Sequence, residues 1–160
     1  MDMTVIVHCR DEGSRESSQR VLSLVREMNL THLRIHRLCF TDGLEELQKW
    51  MACPPNVYFI FTAVVRDEPI RLSAANVYLD KLLLESDSQY LSFKPHHLNT
   101  PWVVLEVAGV VAGARGMYIQ DVMESASQNF RRIYRLPSWF RDDVNLEDVG
   151  ADIWELSKCM

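Results

Sequence analysis

The chain contains cysteines but no cysteine motif. Cys9, Cys39, Cys53 and Cys159 include no pair at CxxC or zinc-knuckle spacing, so no zinc ribbon or dithiol redox motif is written here. They read as reduced thiols and point to an intracellular protein, cytoplasmic or nuclear. A basic excess is also missing: 17 Lys and Arg stand against 22 Asp and Glu, a formal net charge of −5. Whole-chain charge therefore carries no nucleic-acid signature, and only a local basic mouth or a bound cation could supply one. Glycine is scarce, and no GxGxxG follows a strand-like run. Gly109, Gly113 and Gly116 are spaced GxxxGxxG in or after a helix-like stretch, which fits close helix packing and a helix end rather than dinucleotide binding. No nucleophile-elbow motif supports a serine hydrolase. The acidic start Met1-Asp2-Met3 and the short apolar run after it do not make a signal peptide. No run approaches the ~20 apolar residues of a membrane span, so no membrane partner is expected.

What is present is an alternation. Of the 160 residues, 48% are hydrophobic, enough for one domain with a sizeable core. Thr4 to Cys9, Arg34 to Phe40, Val57 to Ala63 and Lys81 to Asp87 are apolar or β-branched runs that predict four strands. Helical spacing predicts helices over Ser14–Met28, Leu44–Met51, about Pro69–Leu79, Pro101–Gly113 and Ile119–Tyr134. Strands alternating with helices imply βαβ units and an α/β fold with a parallel sheet. Such sheets gather functional groups at the C-terminal ends of their strands. His8, Phe40-Thr41, Thr62 and Asp87 fall there. The chain from Pro137 onward changes character, with Asp142, Asp143, Glu147, Asp148, Asp152 and Glu155 around Trp139, Phe140, Leu146, Ile153, Trp154 and Leu156. It reads as an acidic, aromatic tail whose apolar side docks on the body, or else as a partner-binding or self-inhibiting segment.

His8 and Asp87 are the residues best suited to chemistry. An imidazole and a carboxylate on rigid strand ends are the donor types a divalent cation takes. Taken singly, a strand-end histidine is more often a hydrogen-bonded or packed residue, and a strand-end aspartate often caps the next helix. His96-His97 with Lys94 lies in the loop after the fourth strand and reads as solvated. Arg131, Arg132 and Arg135 lie at a helix C-terminus, where cations suit the helix dipole.

Several runs taken together carry more than any one of them. His8-Cys9-Arg10-Asp11, Ile35-His36-Arg37-Leu38-Cys39-Phe40-Thr41, Asn56-Val57-Tyr58-Phe59 with Phe61-Thr62, Leu82-Leu83-Leu84-Glu85-Ser86-Asp87-Ser88-Gln89-Tyr90, Val107-Ala108 and Asn129 to Tyr134 occur in this order. Over residues 4 to 136 the order and spacing resemble the C-terminal half of the TatD family of metal-dependent deoxyribonucleases, most of all its vertebrate-type members. The resemblance implies a (β/α)8 barrel that hydrolyses DNA or RNA phosphodiesters. It implies a divalent metal, Mg²⁺ or Mn²⁺ or else Zn²⁺, held by His8 and Asp87, with Asp87 catalytic. Arg10 and Glu85 then match the phosphate-binding and supporting positions beside them. Strand alternation would put Cys9 and Cys39 towards the helices, as core residues.

Two departures from the family pattern set further expectations. The family's histidine before Cys-Phe-Thr is Leu38 here, a lost ligand position. His36 shares its face but lies two residues deeper, roughly 7 Å along the strand, near the barrel floor. The family's first four strands, which supply an HxH pair and a bridging glutamate, have no counterpart. The expected architecture is thus a partial TIM barrel: four C-terminal β/α units over residues 1–136, plus the tail at 137–160. Two remaining ligands would bind metal weakly. The alternative to a nuclease is an inactive half-barrel that binds a partner or self-associates through its open sheet edges, or a fragment of a longer nuclease.

Overall fold

The computed structural model describes residues 3–10, 14, 16–52, 56–93 and 97–137. The tail expected at 137–160 lies outside the described residues from 138 onward. Thr4–Val7 form β1, Arg34–Arg37 β2, Val57–Phe61 β3 and Leu82–Leu84 β4. All pair in parallel, in the order β1-β2-β3-β4. Helices α1 (Glu16–Glu27), α2 (Leu44–Met51), α3 (Glu68–Asn76), α4 (Val103–Arg115) and α5 (Ile119–Tyr134) alternate with or follow the strands. Short 3-10 turns at Ala63–Arg66 and Leu79–Lys81 flank α3 and lead into β4. The α/β reading of the sequence therefore holds, and four parallel strands with their helices are consistent with half of an eight-stranded barrel.

Local sequence accounts for these elements. All five residues of β3 are buried, as expected of a parallel strand covered on both faces. Helix α1 buries Ser18, Leu22 and Val25, and α5 buries Val122, Ala126, Asn129 and Ile133, each set a single helical stripe. Gly116 ends α4 in the left-handed region at φ 65°, the conformation for which glycine has no Cβ penalty. A Cβ at Gly113 would meet nothing within 4 Å, so that glycine makes no close helix contact, contrary to the packing expected from its spacing.

The sheet has two different faces. Its outer face, with Ile35, Phe59, Phe61 and Leu82, packs with Phe40, Leu47, Trp50, Val107 and Val111 to make the main core. The inner face carries Tyr58, Ile60 and Leu83, against which Ile133 and Tyr134 of α5 pack. Thr4 Oγ1 and Arg34 Nε both donate to the carbonyl of Ile133, each at 2.7 Å. Asn129 Nδ2 donates to the carbonyls of Leu79 and Leu82, each at 2.8 Å. Helix α5 thus ties the starts of β1 and β2 to the approach and start of β4, closing the floor and leaving the opposite rim for function.

Candidate active site

The strands end earlier than their sequence suggests, and the site residues occupy the turns just beyond them. Leu38 N donates to Val7 O at 2.9 Å, Phe40 N to Ile60 O at 2.8 Å and Glu85 N to Phe61 O at 3.0 Å. These last ladder bonds set His8 beside Leu38, and Glu85 one step past β4. His8 and Arg10 are exposed on the β1 side. Glu85 and Asp87 are half-buried on the β4 side. Asp87 is left-handed at φ 52°, a conformation aspartate tolerates better than most residues, and its carbonyl accepts from Tyr90 N at 2.8 Å. Asn99 holds this loop by donating to the carbonyls of Ser86 and Tyr90.

Electrostatics couple the rim. Burial, then the charge of Asp87, raises the pKa of Glu85. Its Oε2 is buried with no hydrogen-bond partner among the described residues. Tyr134 is raised by burial and then by Glu85, which puts this phenol within electrostatic reach of the rim acids.

Cys39 departs from its expected orientation. It is buried, as expected of a core residue, but its backbone is left-handed at φ 44°, which breaks strand alternation. Its thiol lies 3.6 Å from Thr62 Oγ1. Burial pushes the thiol pKa up; the Thr62 hydrogen bond opposes this, Asp87 adds to it, Arg10 opposes it and Glu85 adds to it. Cys39 is therefore a protonated thiol among the rim charges, and neither a helix-side residue nor an activated nucleophile. A single non-glycine residue with positive φ leaves no signal in the sequence.

The sequence-predicted ligands follow different strands. His8 follows β1 and Asp87 follows β4, the two edges of the sheet. Three strand spacings of about 4.8 Å put them roughly 14 Å apart along the sheet. Among the described residues, no group of three or more His, Cys, Asp or Glu side chains could hold a metal ion. The described residues alone therefore do not make a complete site for the metal that the family implies.

His36 does not repair the deficit, because its Nδ1 is hydrogen-bonded to the hydroxyl of Tyr134 on the inner face. Its burial there agrees with the floor position read from the sequence. His97 is exposed, while Lys94 and His96 lie outside the described residues. Arg131 and Arg132 belong to the last turn of α5, on the floor side, and do not extend the rim.

The TatD related DNase family model matches residues 1–135. The chain is 30% identical over 141 residues to an Escherichia coli K12 protein described as the uncharacterized metal-dependent hydrolase YcfH, covering 85% of this chain and 51% of that protein. It is also 30% identical over 148 residues to the 3'-5' ssDNA/RNA exonuclease TatD of Erwinia billingiae, covering 85% and 53%. Among solved structures, a TatD family hydrolase from Entamoeba histolytica superposes with a TM-score of 0.71 at 13% identity, over 82% of this chain and 50% of that one. The TatD homologue YjjV of Escherichia coli K12 gives 0.70 at 16% identity, over 84% and 51%. This chain spans about half the length of the curated relatives it matches. No single helix among the described residues is long and apolar enough to cross a membrane. The match across nearly all of the described fold shows that the chain belongs to the TatD-related DNase family.

Proposed function

We propose that this protein is a nucleic-acid phosphodiester hydrolase domain of the TatD type whose site is completed from outside the single chain. One observation supports this reading: His8 and Arg10 at one edge of the rim, and Glu85 and Asp87 at the other, are the residue types such a site uses. In this reading Arg10 supplies positive charge to a substrate phosphate. Glu85 supports Asp87, and Asp87 and His8 are the donors to which a divalent cation, Mg²⁺ or Mn²⁺ by donor type, would be added. A bound ion would polarise the phosphodiester and activate water. The family relatives include a protein described as an ssDNA/RNA exonuclease, so single-stranded DNA and RNA are the substrates to offer first.

A second reading is favoured by Leu38, which sits beside His8 in place of a ligand: an inert module that keeps the fold and binds without cleaving. Cleavage of labelled single-stranded DNA and RNA by the purified chain with Mg²⁺ or Mn²⁺, run beside Asp87→Asn, separates the two. Cleavage that disappears in the variant supports the hydrolase. A folded wild-type chain that cuts neither substrate rejects it in favour of the module.

A further inference from the structure

We propose that Tyr90 and Trp102, on the loop that carries Asp87, form a stacking platform for the unpaired bases of single-stranded nucleic acid. The choice of nucleic acid as occupant rests on the proposed function; the exposure and anchoring of the two rings do not.

The segment between β4 and α4 places large apolar side chains in solvent. Tyr90 is 67% exposed, Leu98 84% and Trp102 70%. Apolar side chains scattered singly on a surface need no explanation, but a group of them beside a site marks a binding surface. This segment lies at the C-terminal ends of the strands, the face that a (β/α) barrel leaves open as its mouth. A ligand reaches it there without needing a free sheet edge.

The backbone under the rings is held, which separates a platform from a solvated loop. Tyr90 N donates to Asp87 O at 2.8 Å, a tight turn that fixes Tyr90 to the acid of the rim. Asn99, 5% exposed, reaches across from the far side of the loop and donates to the carbonyls of Ser86 and Tyr90. Trp102 follows Asn99 by three residues, at most about 11 Å of chain. It is fixed in turn by the bonds of Val103 N to Thr100 O and of Leu105 N to the carbonyl of Trp102, each at 3.0 Å. Arg66 Nη1 donates to the carbonyls of Ser92 and Phe93 at 3.4 and 3.0 Å, and Phe93 packs against the main core. One buried amide thus ties both rings to the loop of Asp87, well within the roughly 4–16 nucleotides that a single-strand groove covers. A backbone already held loses little freedom when a strand binds.

Chemistry selects the ligand. An exposed ring offers a π face, and every base has one, so stacking tolerates any sequence. In a duplex the base faces are already stacked on their neighbours, so the platform takes single strands. The net charge of −5 gives little long-range attraction for phosphates, which leaves stacking to carry much of the affinity. Tyr90 lies in the same turn as Asp87, so the base it holds belongs to a nucleotide next to the phosphate presented to that acid. Both rings bind and orient the strand; neither takes part in bond breaking.

The test is fluorescence anisotropy of a labelled oligothymidylate, and of an abasic strand of the same length, with the full chain in EDTA. The variants are Tyr90→Ala, Trp102→Ala and Trp102→Phe. The expected result is that the wild type binds the oligothymidylate at least about tenfold tighter than the abasic strand. Each alanine variant loses about tenfold on the oligothymidylate, the order for one lost stacked base, and nothing on the abasic strand. Trp102→Phe keeps most of the affinity. The salt dependence is the same throughout, because no phosphate contact is removed. Both rings are exposed, so truncating them leaves the fold, which far-ultraviolet circular dichroism checks. Alanine variants that bind as the wild type does, an equal loss on both strands, or a wild type that binds neither strand overturns the platform. Metal is absent, so cleavage plays no part in the readout. A chain that binds as expected and cuts nothing rejects the hydrolase alone; one that cuts single strands undiminished with both rings truncated rejects the platform alone.

Discussion

The imidazole Nδ1 of His36 is hydrogen-bonded to the hydroxyl of Tyr134, joining the inner face of β2 to the last turn of α5 across 98 residues of sequence. The rings meet edge to face with centroids 5.8 Å apart. His36 is 7% exposed, its Nε2 has no partner among the described residues, and burial lowers its pKa from 6.5 to about 4. The histidine is therefore neutral in the folded protein at neutral pH and holds the floor through a single polar contact.

This gives stability a pH dependence of known sign. Between pH 6.5 and about 4 the unfolded chain binds a proton at His36 that the folded chain refuses, so stability falls as pH falls through that window. The raised pKa of Glu85 acts in the opposite sense, contributing stability that is lost as pH rises through its folded value. The informative quantity is thus the difference between wild type and His36→Gln. In urea unfolding at pH 7.5, 6 and 5, the wild type loses stability relative to the variant at each acid step. Parallel curves would mean that His36 is solvated and titrates normally.

Arg37 and Asp42 form a second polar device, on the helix side of the sheet. Arg37 is fully buried, and its Nη2 donates to Asp42 Oδ2 at 3.3 Å. Its guanidinium lies 5.6 Å from the Phe40 ring centroid and 5.5 Å from that of Trp50. Removing one partner of a buried ion pair strands the other charge, so Asp42→Ala should cost on the order of 3 kcal/mol. Arg37→Met, which removes the charge and keeps the bulk, should cost less. Chemical denaturation of the two variants checks the order; a smaller loss from Asp42→Ala would show that the carboxylate does not hold the guanidinium.

The contrast between these devices shows what the sequence makes legible. The order of strands and helices was readable because parallel strands are continuous apolar runs, and the limits of α5 coincide with the predicted 119–134 because its buried stripe is unbroken. Family membership was readable from linked motifs. His8 and Asp87 were legible as donor types, but not the geometry between them. Consecutive parallel strands are neighbours, so the first and last of four stand farthest apart, and strand order rather than motif identity decides which ligands meet. Tyr134 appeared only as part of a closing helix motif, because a contact 98 residues distant has no local signature. Arg37 appeared only within a family motif; its burial depends on Asp42, Phe40 and Trp50 converging after folding. The turn at Cys39 depends on one backbone angle.

Leu38→His tests whether the rim lacks only a donor or lacks the geometry as well. Leu38 stands on the strand next to His8, and its amide is bonded to Val7 O. One residue past the register pair Val7 and Arg37, His8 and position 38 share a face. Histidine there would set two imidazoles about 5 Å apart at the backbone, a spacing from which both side chains can reach one ion at bonds of about 2 Å. Titration calorimetry should then show Zn²⁺ or Mn²⁺ binding at least about tenfold tighter than in the wild type, corresponding to ~1.4 kcal/mol. The gain should vanish when His8→Ala is added, because the new site needs both rings. Unchanged affinity in Leu38→His would instead mean that the rim lacks the geometry as well as the donor.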